Sequence, residues 1–160
     1  MSTPPADRAV QIDGNPLLLE RQVCFALAVA NRSVLKIYRR LLDPLGLTHP
    51  QYLVMLSLWE HDKLSVKELG DLLQLDSATL SPLLKRLEAN GLIQRKRRED
   101  DERSVDVVLT DAGRDLRNQA VEIPGKVVGA LGVGMDDLLE LHSVLTKVNA
   151  AALRADAATD

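Results

Sequence analysis

The chain is poor in cysteine, in aromatic residues and in long apolar runs. Cys24 is the only cysteine among 160 residues, so no disulfide can form within one chain, and a reducing compartment is favoured, with the cytoplasm as the default. One Trp, two Tyr and one Phe predict an aliphatic core. No apolar run reaches the roughly 18–20 residues of a membrane span, and the start, MSTPPADRAVQIDGNP, lacks the apolar segment of a secretory signal. We therefore expect a cytoplasmic protein without membrane association.

Positive charge is also in short supply overall, because the net charge is −3. That value argues weakly against a nucleic-acid partner, although the distribution of charge matters more than its sum. Apolar residues make up 46 % of the chain and charged residues 27 %, which is typical of a soluble globular protein. The length allows one domain with a core and an additional surface for assembly.

Helix start and stop signals account for most of the chain. Residues 1–14 are polar, contain two prolines, and are predicted to form a flexible arm. The next helix is expected to start at the Asn15-Pro16 pair and to end near Leu42, before the segment DPLG. Three further helices are predicted at 49–61, 66–73 and 77–90, preceded by the capping residues Thr48, Ser65 and Asp76.

The helix at 77–90 has two different faces. Leucines at i, i+3, i+4 and i+7 form one apolar stripe, at positions 80, 83, 84 and 87. Pro82, Lys85 and Arg86 lie opposite this stripe, flanked by Thr79 and Ser81. Since Pro82 lies beyond the first turn of this helix, it should distort the helix or leave one backbone carbonyl without its N–H donor.

A change of period after Gly91 predicts a β-hairpin at 92–109. Val105, Val107 and Leu109 alternate with other residues along its second strand. Helices follow over 110–155, with a break near Pro124–Gly125. Two short helices before a hairpin predict a winged helix-turn-helix over 47–109, within a mainly α (α+β) fold. The segments 15–46 and 110–155 carry surplus apolar surface and are predicted to form a dimerisation region with a second copy.

The positive charge is concentrated around the hairpin. The basic residues of this region are Lys85, Arg86, Arg95, Lys96, Arg97, Arg98 and Arg103, and the acids at the tip are Glu99, Asp100, Asp101 and Glu102. Such a run can be a solvated hairpin and nothing more. Together with the preceding helix pair it favours DNA binding, because a polar helix fits a major groove and an arginine on a β-ribbon can enter a minor groove. Asp101 is expected to hold the Arg103 guanidinium in one pose.

The segment LDSATLSPLLKRLEANGLIQRKRREDDERSVDVVLTDAG resembles the recognition helix and wing of MarR-type transcription regulators. The Asp101-x-Arg103 wing tip, followed by LT and a small residue, is the most specific part of this signature. RQVCFAL and LTHPQYLVMLSLWEH resemble the branch that senses organic hydroperoxides, and the likeness extends from about Leu17 to Ala152. It implies a homodimeric repressor on double-stranded operator DNA. The implied DNA-binding residues are Ser77, Thr79, Ser81, Pro82, Lys85, Arg86, Arg95, Asp101 and Arg103.

The same resemblance changes the interpretation of Cys24. From its apolar neighbours, Cys24 would be a small core residue. The resemblance implies a peroxide-reactive thiolate that becomes a sulfenic acid and is supported by Tyr38. We predict that His49 and Tyr52 belong to the same supporting set. Cys24 and Tyr38 are 14 residues apart, or roughly 21 Å along one helix, so they can meet only across a dimer.

Two departures from the branch concern this site. Ala28 and His49 stand where single-cysteine members often carry tyrosines. His49 can donate to the thiolate or favour it by charge, or it can be an exposed residue of the first helical turn. With no second cysteine, the sulfenic acid must take a low-molecular-weight thiol, cyclise with a backbone nitrogen, or overoxidise.

Three function hypotheses follow from the sequence. The first is a repressor released by oxidation of Cys24. The second is a MarR-type regulator released by a small phenolic ligand, and the third is a single-cysteine thiol peroxidase. His61 and His142 have no partners at metal spacing, and no catalytic grouping is apparent. We therefore predict no cofactor, no metal and no enzymatic function.

Overall fold

A computed structural model describes residues 14–98, 100–101 and 103–158 and divides into two units, one ending at Leu35 and one beginning at Lys36. Of the predicted arm, only Gly14 is among the described residues. Glu99 and Glu102 of the hairpin tip also lie outside them. In chain order the main elements are α1 (Val23–Leu42), α2 (His49–His61), β1 (Lys63–Ser65), α3 (Val66–Leu73), α4 (Ser77–Ala89), β2 (Ile93–Arg97), β3 (Val105–Leu109), α5 (Asp111–Ala120), α6 (Ile123–Leu131) and α7 (Met135–Ala157).

The first α-helix starts at Val23, seven residues after the expected first helical residue, Pro16. Asn15 does accept a hydrogen bond through Oδ1 from the backbone N–H of Leu17, at 3.0 Å, but a short 3₁₀ turn at Leu19–Arg21 follows instead of α-helix. The Gln22 side-chain amide donates to the carbonyls of Pro16 and Leu18, at 2.7 and 3.2 Å. Since an α-helix would need these carbonyls for its own N–H groups, this competition explains the delayed start.

The next helices begin at the expected caps. Thr48 and Ser65 each form a complete capping box, with Gln51 and Glu68 respectively. Hydrogen bonds from Ser65 lower the pKa of Glu68 from its usual 4.5. The carboxylate is therefore held at the N-terminus of α3, where negative charge is favourable.

The sheet contains one strand more than the predicted hairpin. Its order is β1-β3-β2, with all pairs antiparallel. Leu64 of β1 pairs with Val107, and Ile93 of β2 pairs with Leu109. Three residues are too few to show a recognisable alternation in the sequence, so β1 was missed. The element order and the wing confirm the predicted winged helix-turn-helix.

Three helices follow the hairpin, and the first two are separated by a break of the kind predicted. The break falls at Val121–Glu122, ahead of Pro124, which occupies the first turn of α6. Proline is favourable there because the first N–H groups of a helix have no intrahelical acceptor. A break in the helix therefore exists as predicted, but it lies three residues earlier in the chain than Pro124–Gly125.

The core lies between the sheet and the helices of the second unit. Its most deeply buried side chains are Leu42, Val54, Met55, Leu58, Leu69, Leu80, Leu84, Leu87, Ile93 and Val107. In contrast, α7 has no buried residue and exposes large apolar side chains, namely Leu139, Leu141, Val144, Leu145, Val148 and Leu153. No helix in the described part of the chain has the length and hydropathy required to cross a membrane.

Candidate DNA-binding surface and thiol site

The orientation of α4 follows from its leucines and its cap. Leu80, Leu84 and Leu87 are buried, while Leu83 is half-buried. Asp76 caps the helix, because its Oδ1 accepts from the Thr79 backbone N–H at 2.7 Å. That bond lowers the pKa of the carboxyl below its usual 3.8. Burial of one face forces the opposite face outwards.

The outer face of α4 carries the residues predicted to read DNA. All six are exposed, namely Ser77, Thr79, Ser81, Pro82, Lys85 and Arg86. The helix runs unbroken through Pro82 to Ala89. Because proline has no N–H, the carbonyl of Ala78 receives no bond from position 82. The face therefore combines small hydroxyl donors with two cations, a composition that suits a major groove.

The wing tip is organised by Asp101, but not in the expected way. Its Oδ1 accepts from the backbone N–H of Arg103 at 3.0 Å, and its Oδ2 accepts from the Ser104 hydroxyl at 2.7 Å. The expected pair between Asp101 and the Arg103 guanidinium is therefore wrong. A short carboxylate two residues upstream reaches the backbone more readily than the end of a long side chain. These bonds, with the Ser104 hydroxyl first, lower the pKa of Asp101.

Arg103 is exposed at this ordered turn. It borders a groove of about 870 Å³ between α3, the start of α4 and the wing. Asp101 thus shapes the backbone from which Arg103 projects. An arginine on a narrow tip of this kind can enter a minor groove.

Arg95 is not a free cation of the wing. Its backbone N–H, Nε and Nη2 all donate to the Glu88 carboxylate, at 3.1, 2.9 and 2.7 Å. These bonds lower the pKa of Glu88 from its usual 4.5. Since Glu88 lies on α4 and Arg95 on β2, the pair fastens the predicted recognition helix to the wing. The assignment of Arg95 to DNA contacts stays a prediction.

Three side chains predicted to support the thiol lie together in the second unit. The Tyr38 and His49 rings are 4.6 Å apart in an edge-on arrangement, and Tyr52 lies 6.0 Å from Tyr38. Burial raises the pKa of both tyrosines, and the nearby Tyr38 adds to the rise at Tyr52. Both hydroxyls are therefore protonated near neutral pH and can donate hydrogen bonds.

His49 is half-buried in this cluster rather than exposed on the first turn of α2. Burial lowers its pKa from 6.5, because desolvation penalises the charged imidazolium. The ring is thus mainly neutral near neutral pH. Of the roles considered for His49, donation of a hydrogen bond fits this environment, and support through positive charge does not.

Cys24 belongs to the first unit. It is the second residue of α1 and is exposed. The interpretation of Cys24 as a buried core residue is therefore wrong for the chain by itself. The later helix start places the thiol in the first turn of α1.

A helix with a polar and basic outer face, fastened to a β-wing with an arginine at its tip, defines a DNA-binding protein of the winged helix-turn-helix class. Comparison with known proteins is consistent with this class. A family model described as "Transcriptional regulator SarA/Rot" matches residues 36–120. The organic hydroperoxide resistance transcriptional regulator of Bacillus subtilis is 51 % identical over 127 residues, which cover 79 % of this chain and 86 % of that protein.

Two solved structures extend the comparison. Reduced AbfR bound to DNA has a TM-score of 0.72 at 30 % identity and covers 84 % of this chain and 94 % of that chain. Overoxidized AbfR bound to DNA has a TM-score of 0.69 at 28 % identity, with 83 % and 94 % covered; AbfR is a protein of Staphylococcus epidermidis. The chain belongs to the MarR family of transcription regulators, in the branch of the organic hydroperoxide resistance regulator. These matches also confirm the prediction that it is not an enzyme.

Sequence reasoning missed several residues that organise the surface. Glu88 was one, and another is Asp106, which is only 8 % exposed and accepts from Arg98 Nε at 2.8 Å. Trp59 was a third, since its Nε1 donates to the Gly113 carbonyl at 2.8 Å. Asp106 alternates with apolar residues in β3, which predicts a solvent-facing position. Its burial depends on side chains from other elements, for which the local sequence carries no signal.

Proposed function

We propose that the protein is a redox-sensing repressor that binds operator DNA as a homodimer while Cys24 is reduced, and leaves it when an organic hydroperoxide oxidises Cys24. One observation carries this proposal: the only thiol of a chain from this family is exposed in the first turn of α1. The B. subtilis relative, a regulator of organic hydroperoxide resistance by name, supports the choice of inducer. A repressor of this kind works where the chromosome is, in the cytoplasm.

The proposed reaction uses the thiolate as the nucleophile. The sulfur attacks one peroxide oxygen, the O–O bond breaks, and the other oxygen leaves with a proton as an alcohol. The sulfur is oxidised by two electrons to a sulfenic acid, while the peroxide is reduced. With no second cysteine in the chain, a low-molecular-weight thiol can then condense with the sulfenic acid, releasing water and leaving a mixed disulfide.

The proposed dimer explains the exposed apolar side chains of α7. A row of Leu and Val on a helix with no buried residue is the surface that a second copy would cover. We assign the segments 15–46 and 110–155 to this interface. Burying the row removes apolar area from water, which is the main driving force for association.

Tyr38 is proposed to support the thiolate of the partner chain. Positions 24 and 38 of one α-helix are roughly 21 Å apart, so the hydroxyl cannot reach the sulfur of its own chain along a continuous helix. Two antiparallel copies of α1 would bring the pair together. His49 and Tyr52, which lie beside Tyr38, would then complete a set of hydrogen-bond donors, in which neutral His49 takes the place of a tyrosine.

The DNA-binding assignment rests on the exposed face of α4 and on the wing. We propose that Lys85 and Arg86 face the major groove or its phosphates, with the hydroxyls of α4 beside them, and that Arg103 enters the minor groove. Each subunit would then read one half-site of a near-palindrome, with half-site centres about 34–36 Å apart. Oxidation at an interface between α1 helices would alter the separation of the two recognition helices.

Binding of DNA before and after oxidation tests the proposal directly. The probe is a duplex that the reduced protein selects from a random-sequence library, followed by fluorescence anisotropy. Wild-type protein should lose this duplex on addition of cumene hydroperoxide, whereas Cys24→Ser should bind equally well and stay bound. Release of Cys24→Ser by the peroxide would refute the thiol as sensor. Release of both proteins by a phenolic compound, without peroxide, would favour ligand control.

Mass spectrometry of Cys24 in the same samples identifies the product that accompanies release. This matters because overoxidized AbfR was crystallised with DNA, so the oxidation state has to be correlated with release. The assay is run with and without a small thiol. If release of the duplex requires the small thiol and coincides with the mixed disulfide, the proposed final step is supported. If the duplex is released while Cys24 is still a sulfenic acid, mixed-disulfide formation is not needed for release.

Mixed dimers test whether Tyr38 acts across the interface. Differently tagged chains are combined so that Cys24→Ser and Tyr38→Phe lie either on one chain or on different chains. On one chain, the surviving Cys24 faces a partner without the Tyr38 hydroxyl and should react slowly with peroxide. On different chains it faces an intact Tyr38 and should react at the wild-type rate. Equal rates would show that Tyr38 does not support the opposite thiol.

A further inference from the structure

We propose that Arg98 binds a backbone phosphate of the operator, in a position set by the nearly buried carboxylate of Asp106. This proposal rests on the proposed DNA-binding function and adds a contact that neither the sequence pattern nor the comparisons assign. Its basis is the geometry at the base of the wing.

Arg98 is held at two points. Its backbone N–H donates to the carbonyl of Ser104 across the hairpin at 3.0 Å, so the residue stays at the base of the wing tip. Its Nε donates to Asp106 Oδ1 at 2.8 Å. Asp106 is only 8 % exposed and lies 3.7 Å from Lys63 Nζ through its other oxygen. A carboxylate with so little solvent is a fixed anchor, because moving it away from its cations would leave a charge without compensation.

The anchor leaves part of the guanidinium available. Only Nε is used by Asp106, and among the described residues neither Nη group has a hydrogen-bond partner. The Arg98 side chain is 36 % exposed to solvent. Guanidinium groups recognise phosphate oxygens through such donors, and one that is already oriented loses less conformational freedom on binding.

The location of Arg98 determines the kind of ligand. Arg98 borders the groove between α3, the start of α4 and the wing, together with Lys67, Ser77 and Arg103. If α4 enters a major groove and the wing enters the adjacent minor groove, the phosphate strand that separates these grooves must pass between α4 and the wing. That path runs over the groove that Arg98 borders.

Acids are also present there, and they decide which cations remain available. Glu68 and Asp71 border the same groove, but Glu68 Oε2 accepts from the Ser65 N–H at 2.7 Å and caps α3. Arg95, three residues before Arg98, has both Nε and Nη2 engaged by Glu88. Arg98 differs in that only its Nε is engaged, so both of its Nη groups remain available to a phosphate.

The salt dependence of binding tests this inference. Arg98→Gln removes the phosphate contact, and Arg98→Lys is the matched control that keeps the positive charge at the same position. Affinity is measured by anisotropy from 50 to 300 mM salt, for the duplex selected by the wild type and for an unrelated duplex. Thermal unfolding of each variant confirms that it is folded.

Each phosphate contact contributes about 0.9 to the slope of log affinity against log salt, so Arg98→Gln should reduce the slope by about 1.8 per dimer. Referred to 1 M salt, where the counterion contribution vanishes, this corresponds to roughly 60-fold weaker binding at 0.1 M. Both duplexes should be affected alike, because a phosphate contact carries no sequence information. Arg98→Lys should retain most of the slope.

Other outcomes separate this inference from the proposed function. An unchanged slope for Arg98→Gln would overturn the phosphate contact and leave the repressor proposal intact. An unchanged slope with weaker preference for the selected duplex would mean that Arg98 only places the wing, which also overturns the contact. Failure of wild-type protein to bind any duplex would overturn the proposed function as well.

Discussion

Adding one methyl group at Gly113 should destabilise the protein, although alanine normally improves a helix. Gly113 lies in the first turn of α5, where its N–H donates to the Thr110 side chain at 3.0 Å and its carbonyl accepts from Trp59. A Cβ built at this position would lie 2.1 Å from the carbonyl oxygen of Leu92 and 3.1 Å from its carbonyl carbon. Contacts below 3.0 Å essentially never occur for real Cβ atoms, so backbone must move.

The size of the effect follows from what has to move. The obstacle is a carbonyl that already accepts from the Thr110 N–H at 3.1 Å, so no flexible side chain can relieve the clash. Overpacking of this kind costs about 1–3 kcal/mol, and we expect a value near the upper end for Gly113→Ala. At about 2–4 °C per kcal/mol for a chain of this size, the melting temperature should fall by roughly 6–12 °C.

Gly125→Ala is the matched control. Gly125 lies in α6, and a Cβ there would meet nothing within 4 Å. The ordinary preference of a helix for alanine over glycine should then apply, so this variant should gain up to about 1 kcal/mol. Thermal unfolding followed by circular dichroism, at one protein concentration because a dimer is expected, compares the two variants. If Gly113→Ala melts at or above the wild-type temperature, the close packing of α5 against Leu92 is wrong.

Two further predictions concern the wing. Asp101→Ala should weaken operator binding severalfold although it removes a negative charge, because the backbone turn that carries Arg103 loses two hydrogen bonds. Asp100→Ala removes the same charge next to it and should not weaken binding in an anisotropy assay. Equal effects of the two variants would contradict this role of Asp101. Hydrogen bonds from Arg95 lower the pKa of Glu88 from 4.5, so the stability that the ionised carboxylate contributes is present above pH 4.5 and is lost as the pH falls through the lowered pKa. The difference in urea midpoint between wild type and Glu88→Gln should therefore shrink below pH 4.5. A difference that does not depend on pH would show that the ion pair contributes nothing.

Local patterns predicted the elements whose signals lie within a few residues. The two capping boxes mark the starts of α2 and α3, and the leucine stripe gave α4 its correct buried face. Both signals depend on groups three or four positions apart on one helix. In β3 the alternating positions 107 and 109 are buried, whereas Val105 and Val108 are both half-buried.

Errors arose where a competing contact decided the outcome. The Asn15-Pro16 pair signals a helix start, but the Gln22 amide takes the carbonyls that a helix would need. The strand β1 exists only because β3 offers it a partner, and three residues show no period of their own. The carboxylate of Asp101 accepts a hydrogen bond from the Arg103 backbone N–H and not from the Arg103 guanidinium. Binding the backbone group orders fewer side-chain torsions and so costs less conformational entropy.

The sequence by itself determined that a helix with a polar and basic face precedes a basic hairpin, and that one thiol is available for chemistry. The tertiary structure decided which cations are engaged: Glu88 binds Arg95, while Asp106 holds Arg98 by a single nitrogen. It also decided that His49 is half-buried beside Tyr38 and mainly neutral near neutral pH. Charge, burial and hydrogen-bond partners are properties of neighbours in space, and those neighbours come from elements far apart in the chain.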